Sequence, residues 1–268
     1  MSVKTLKTPI GTIAYDVKGK GDPLLLCHGM GRASAHWLGF DEYMARDFQV
    51  ITYDARGLGQ SHARTDWNLR IEDLAADAAH VLRHLSLPAA HVFGLSLGGM
   101  VAMALGLDYP KKVRSLTITA SSIGGLLRPQ LSRKALLALT MSFVDKKHLI
   151  PRMAKSLWGS NLGAADYMRY MAAWHELEHD KLVRPDAVVK QFLAAHRFRP
   201  KERLKQLELP TQVIVGDQDT FVPTANSQFL ADLIPTARLE VIEGGGHELT
   251  TDSREQIAEL IRNFTRGH

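Results

Sequence analysis

Three side chains in this sequence have the types that acyl transfer needs. They are Ser96 within Gly94-Leu95-Ser96-Leu97-Gly98, Asp219 within Gly216-Asp217-Gln218-Asp219, and His247 after Gly244-Gly245-Gly246. A serine hydroxyl attacks a carbonyl efficiently only if a base takes its proton, a carboxylate holds that base in one tautomer, and amide donors meet the oxyanion. Ser96 is read as the nucleophile, His247 as the base and Asp219 as the orienting acid, in preference to Asp217 on the same loop. The serine motif alone carries little weight: a chain of this length shows Gly-x-Ser-x-Gly by chance about one time in ten. The order along the chain discriminates, because on an open α/β sheet the nucleophile comes first, the acid follows a later strand, and the histidine lies near the carboxyl end. The amides of Leu97, after the serine, and of Met30, in His28-Gly29-Met30-Gly31, are the expected oxyanion donors. His28 reads as a histidine hydrogen-bonded inside that loop.

These residues need a frame that brings distant loops to one edge. Leu24 to Cys27, Gln49 to Tyr53, His91 to Gly94, Val113 to Thr119 and Thr211 to Val215 are apolar on nearly consecutive residues, as strands covered on both faces are. Arg238 to Ile242 adds another strand. Lys4 to Lys7 and Ile10 to Val17 read as an antiparallel start turned by Pro9-Ile10-Gly11. Between the strands, Ile71, Leu74, Ala75, Ala78, Val81, Leu82 and Leu85 mark one face of a helix from Arg70 to Leu87. Leu97 to Tyr109 is a second helix, stopped by Pro110. Ser34 is expected to cap a helix carrying Trp37, Phe40 and Met44, and Ser253 with Gln256 to form a capping box for the last one. The pattern predicts an α/β protein with a mostly parallel eight-stranded sheet and helices on both faces, and ligands beyond the carboxyl ends of its strands.

Between Gly124 and Leu207 the strand signals stop and helical ones persist, at Leu131 to Ile150, Ala165 to Leu177 and Asp186 to His196. The expected organisation is a core of residues 1–123 and 208–268 with a helical cap of residues 124–207. Most apolar cap residues, Met141, Phe143 and Tyr167 among them, should pack the cap itself; Trp158, Met171 and Trp174 are expected to line the pocket over Ser96. The segment carries sixteen Lys and Arg against seven Asp and Glu, a net +9 that leaves −4 for the rest of the chain. That asymmetry reads as solvated helix faces, or as a field drawing in an anionic substrate; no recognition module accompanies it to argue for nucleic acid. His80 with His84, and His175 with His179, read as solvated pairs, so no metal is expected. One cysteine, Cys27, excludes an internal disulfide and fits a reducing compartment. A polar, basic start and no apolar run of membrane length lead to the expectation of a soluble, unexported, cytoplasmic protein. Oligomeric state is not legible.

Taken together, His28-Gly29, Asp54-Ala55-Arg56-Gly57-Leu58-Gly59-Gln60-Ser61, Gly94-Leu95-Ser96-Leu97-Gly98-Gly99, Gly216-Asp217-Gln218-Asp219 with Pro223, and Gly246-His247 resemble the α/β-hydrolase superfamily across nearly the whole chain outside the cap. The resemblance implies that fold, and the roles of Ser96, Asp219 and His247 at the matching positions. The run Gly94 to Ala102 is most similar to enol-lactonases, beside small carboxylesterases and cofactor-free haloperoxidase-like esterases. Haloalkane dehalogenases and epoxide hydrolases carry an aspartate where this chain has Ser96, carbon–carbon bond hydrolases a Ser-Gly-Pro-Gly-like loop where it has Met30-Gly31-Arg32-Ala33, and proline iminopeptidases a Gly-Gly-Ser-Trp-Gly elbow that is absent here. The expectation is a cofactor-independent serine hydrolase of a small carboxylic ester or lactone, one bearing a carboxylate being suited to the basic cap. A perhydrolase and a slow-turnover ligand receptor are the alternatives on the same fold.

Overall fold

The computed structural model describes residues 3–124, 131–133, 156–179 and 182–268. Eight strands form one sheet: β1 (Lys4–Thr8), β2 (Gly11–Lys18), β3 (Asp22–Cys27), β4 (Phe48–Tyr53), β5 (Ala90–Leu95), β6 (Val113–Thr119), β7 (Thr211–Gly216) and β8 (Ala237–Ile242). Their spatial order is β1-β2-β4-β3-β5-β6-β7-β8. Pairing is antiparallel for β1 with β2 and β2 with β4, and parallel everywhere else. Because β3 to β8 run in one direction, the loops that follow β3, β5, β6, β7 and β8 all emerge at one edge of the sheet.

The consecutive apolar residues of the parallel strands feed two separate cores. Leu24, Leu26, Val50, Phe93 and Leu95 pack with Trp37, Phe40, Met44, Ile257 and Ile261 on one face. Their neighbours Leu25, Ile51 and Val92 pack on the other face with α2 (Ile71–His84) and α3 (Leu97–Asp108). Side chains alternate across a strand, so only a continuous apolar run can satisfy both faces. The last helices, α8 (Leu249–Asp252) and α9 (Arg254–Thr265), follow His247. Before them, α7 (Ala225–Leu233) joins β7 to β8.

Some local expectations change. The helix foreseen from Ser34 is split into a 3-10 turn at Ser34–Trp37 and the five-residue α1 (Phe40–Met44). Leu38 (φ 51°) and Gly39 (φ 83°) lie between them in the left-handed region, which breaks the helix. Trp37, Phe40 and Met44 are nevertheless fully buried. Ser34 donates its amide to Asp54 Oδ1 at 2.7 Å instead of capping. The α2 helix ends at His84, short of Pro88, because Ser86 turns left-handed at φ 55°. The capping box at Ser253 does not form. Ser253 Oγ donates to Asp252 Oδ1 (2.8 Å) and accepts from Asn161 Nδ2 (3.0 Å), and Gln256 also receives Asn161 Nδ2.

Between β6 and β7 the described helices are α4 (Ala164–His179), α5 (Pro185–Arg197) and α6 (Lys201–Leu204). The helix expected over Leu131 to Ile150, with Met141 and Phe143, lies outside the described residues save 131–133. Ala194, Ala195, Phe198, Leu204 and Leu207 join the core that holds α2 and α3, so the end of this segment is anchored to the sheet. No helix among the described residues is long and apolar enough to cross a membrane.

The tightest packing is where β5 turns into α3. A Cβ on Gly94 would run into the backbone of Gly98, and a Cβ on Gly98 would run into the carbonyl of Cys27. Gly98→Ala is therefore expected to cost about 3 kcal/mol or more, read as a Tm lowered by roughly 5 °C or more in calorimetry. A Cβ on Gly163 would meet nothing within 4 Å. Gly163→Ala is the control, expected within about 0.5 kcal/mol of the parent.

Candidate active site

Ser96 sits between β5 and α3 with φ 56° and ψ −118°, a conformation unusual for a residue with a side chain. Its backbone is held on both sides: Ser96 N donates to Thr119 O (2.8 Å), and Ser96 O accepts from Gly99 N (2.9 Å) and Ser121 Oγ (2.7 Å). The turn stands at the amino end of α3, where the helix dipole is positive. The side chain lines a pocket at the carboxyl edge of the sheet.

His247 reaches the same pocket after the glycine loop that follows β8. Its Nδ1 lies 2.8 Å from Asp219 Oδ2. The other oxygen, Asp219 Oδ1, accepts the amides of Phe221 and Val222, each at 2.8 Å. A carboxylate saturated in this way accepts from Nδ1, which places the imidazole proton there and leaves Nε2 with its lone pair. Both side chains are buried, and Phe221 packs its ring 5.0 Å from the imidazole. Burial pulls the His247 pKa down, but the charge and hydrogen bond of Asp219 and the charge of Glu248 outweigh it, so the net shift is upward. Ser96 and His247 share the pocket without a hydrogen bond between them; such contacts commonly tighten in the substrate complex. Asp217, the other acid of the loop, instead accepts the Gly244 amide at 2.7 Å and braces the glycines before His247.

The loop after β3 lies against Ser96: a Cβ on Gly29 would sit 3.5 Å from Ser96 Cβ. Gly31 N donates to Gln191 Oε1 (2.9 Å) and Arg32 N to Gly29 O (3.3 Å), which shapes the turn around Met30. Met30 and Leu97 both line the pocket, and among the described residues neither amide donates to a protein acceptor. His28 accepts the Gly29 amide at Nδ1 (2.7 Å) and stacks on Trp37. Burial, then the charges of His36 and Arg32, hold its pKa well below the usual histidine range, so it stays neutral.

The residues expected to line the pocket from the inserted segment lie elsewhere. Trp158, Tyr170 and Trp174 form a buried aromatic cluster against which Met171 and Tyr167 pack. Trp158 and Trp174 stack at 5.0 Å, Trp158 Nε1 donates to Thr251 Oγ1 (2.8 Å), and the Arg32 guanidinium covers the Trp174 ring at 4.1 Å. Those interactions bury the ring faces and satisfy the Trp158 N–H, so Leu157, Val188, Phe192 and Ala195 supply the wall instead. His84 Nε2 meets Tyr15 OH at 3.1 Å, and the described residues contain no group of three or more metal-ligating side chains.

Sequence reasoning missed Arg32, Glu248, Gln191 and Asp252. Arg32 and Glu248 line the pocket, and their nearness to Met30 and His247 in the chain was an available signal. Gln191 and Asp252 act only through tertiary docking. Asp252 Oδ2 accepts the amides of Gly246 (2.7 Å) and Gly159 (2.9 Å), fixing the residue before His247. Burial raises the Asp252 pKa despite these bonds. The His247 imidazole is expected to titrate above 6.5 by NMR. In Asp219→Asn the balance reverses, leaving burial unopposed except by Glu248, and the titration moves down. An unmoved titration would contradict the geometry.

The α/β hydrolase fold profile matches residues 22–252. Over 256 residues the chain is 30% identical to the protein named "Putative carbamate hydrolase RutD" of Azorhizobium caulinodans, with 93% of each chain covered. It is 30% identical over 259 residues to the pimeloyl-acyl-carrier-protein methyl ester esterase of Aeromonas hydrophila, covering 94% of this chain and 99% of that one. Among solved structures, Est816, described as an N-acyl homoserine lactone degrading enzyme, superposes with a TM-score of 0.77 at 26% identity, over 97% of this chain and 100% of its own. The sheet order, the strained serine turn and a match over most of the sequence lead to one conclusion: the chain belongs to the α/β-hydrolase family.

Proposed function

We propose that the protein is a serine hydrolase of carboxylic esters, with lactones the favoured subclass, working through an acyl-enzyme on Ser96. The observation that carries this reading is the His247–Asp219 bond, which leaves Nε2 of a buried imidazole at the pocket that the strained Ser96 lines. His247 Nε2 takes the hydroxyl proton as Ser96 Oγ attacks the acyl carbon, and the amides of Leu97 and Met30 receive the oxyanion. The oxyanion collapses, the bond to the leaving oxygen breaks, and His247 protonates that oxygen. Water, deprotonated by the same nitrogen, then attacks the ester on Ser96; the proton returns to Oγ as the acid departs. Asp219 remains a carboxylate and holds the ring. With a lactone the leaving oxygen stays tethered, so one hydroxy acid is released. His247 and water carry every proton, and the steps call for no cofactor.

Residues 124–207 are proposed to act as a cap, since Leu157, Val188, Phe192 and Ala195 of that segment stand in the pocket wall. The apolar wall suits a small acyl or alkyl group. The esterase and lactone-degrading relatives support this substrate class, and the carbamate hydrolase name makes carbamates the neighbouring class to include. The idea of an anionic substrate drawn in by the basic segment gains little support. Among the described residues no Lys or Arg of 124–207 lines the pocket, and Arg184, Lys190, Arg203 and Lys205 each pair with an acid.

Ser96→Ala is expected to lower kcat on p-nitrophenyl esters and simple lactones by roughly 10⁴- to 10⁶-fold. A fluorophosphonate should add one label to the parent protein, located at Ser96 by peptide mass spectrometry, and none to the variant. Undiminished turnover by Ser96→Ala overturns the reading.

A further inference from the structure

Glu248 follows His247 and is 6% exposed, yet it lines the pocket. Its backbone is fully engaged: N donates to Leu157 O (2.9 Å), and O accepts from Thr251 N (2.9 Å), Asp252 N (3.1 Å) and Thr251 Oγ1 (2.7 Å). The main chain beneath the side chain is therefore fixed. As the residue before α8 it could cap that helix, but no side-chain cap bond forms. Among the described residues its carboxylate makes no hydrogen bond and no ion pair. The enclosed side-chain atoms that lack a partner do not include the Glu248 oxygens, so these are open to the pocket, where a carboxylate is ordinarily satisfied by water or ligand.

We propose that the Glu248 carboxylate is a substrate-recognition group that accepts a hydrogen bond from a hydroxyl or amide N–H on the substrate, a specificity that rests on reading this pocket as the hydrolytic site. A neutral donor fits better than a cation. Arg32 lines the same pocket and its positive charge opposes that of an incoming cation, while the formal charges of Arg32 and Glu248 cancel among the described lining residues. Apart from Ser96, Ser121, Ser122 and His247, the other described lining residues, Met100, Leu157, Phe192 and Phe221 among them, are apolar. A substrate that is net neutral, apolar over most of its surface and equipped with one donor near the scissile ester matches this lining. A site built around an acceptor discriminates strongly against analogues that lack the donor, because the acceptor is then left unpaired.

The test uses isosteric pairs in which a methyl replaces the hydroxyl: methyl β-hydroxybutanoate against methyl isovalerate for the acyl side, and glycol monobutanoate against propyl butanoate for the alcohol side. The kcat/KM ratio within each pair is measured for the parent, Glu248→Gln and Glu248→Leu, each on the plateau of its own pH profile. The parent should favour the hydroxylated member of one pair by roughly 10- to 100-fold, Glu248→Leu should reduce that to within about threefold, and Glu248→Gln, whose amide oxygen still accepts, should retain part of it. Ratios near one in the parent, a preference that survives in Glu248→Leu, or a choline ester favoured over both hydroxylated esters overturns the proposal. Failure of every ester to turn over overturns the hydrolytic reading instead. Glu248 is then judged by calorimetric titration of the same esters into Ser96→Ala and Ser96→Ala/Glu248→Leu, where the same ratios are expected in Kd and equal Kd values overturn it.

Discussion

The approach of Gly98 to the carbonyl of Cys27 is the contact from which the rest of the site is built. It sets the first turn of α3 against the end of β3, which leaves the chain only one tight way to pass from β5 into the helix. Ser96 is the residue caught in that passage, with a backbone that β-carbon-bearing residues rarely adopt. The hydrogen bond that Ser96 N donates to Thr119 O and the one that Ser96 O accepts from Ser121 Oγ hold the strain in place from the neighbouring strand end. Ala120, with φ 47°, is a second strained residue lining the same pocket. Two such residues at one pocket give the fixed backbone that a preorganised site would need.

The charge arrangement around His247 follows a similar economy of position. Asp219 is fixed by two amides of its own loop, so its free oxygen has one direction in which to meet Nδ1. The competing effects on the imidazole, burial against two carboxylates, leave it more basic than an ordinary histidine. His28, a few residues from the same pocket, has the opposite balance: no carboxylate stands beside it and two cationic or potentially cationic neighbours do. One imidazole is thus held more basic than usual and the other kept neutral, by surroundings alone.

Much of this was readable from residue order. The both-face apolar runs specified the sheet because alternation leaves no other way to bury consecutive leucines, and the sequence order of Ser96, Asp219 and His247 matched the edge to which the strands deliver them. What escaped was whatever depended on docking. Trp158, Met171 and Trp174 looked like pocket residues because they are large and apolar, but Trp158 stacks on Trp174 and bonds to Thr251, and Met171 packs against that cluster. The helix from Ser34 looked continuous because Trp37, Phe40 and Met44 keep helical spacing, yet two short pieces separated by a left-handed pair present the same three residues to the core. Ser253 and Gln256 had capping-box spacing, and a partner from far along the chain, Asn161, claimed them first.

The stretch around Gly159 is sewn to the stretch around His247. Leu157 O receives the amides of His247 and Glu248, Asp252 Oδ2 receives those of Gly159 and Gly246, and a β-carbon on Gly159 would strike the carbonyl of Gly244. The stretch around Gly159 and the loop around His247 are therefore one structural unit, though they lie almost ninety residues apart in the chain. Inserts at this point of the fold are attractive modules for exchange between proteins, since they fill a gap between two strands. In this protein such a graft would have to carry a glycine and a free carbonyl at matching positions, or it would shift the histidine along with the pocket wall.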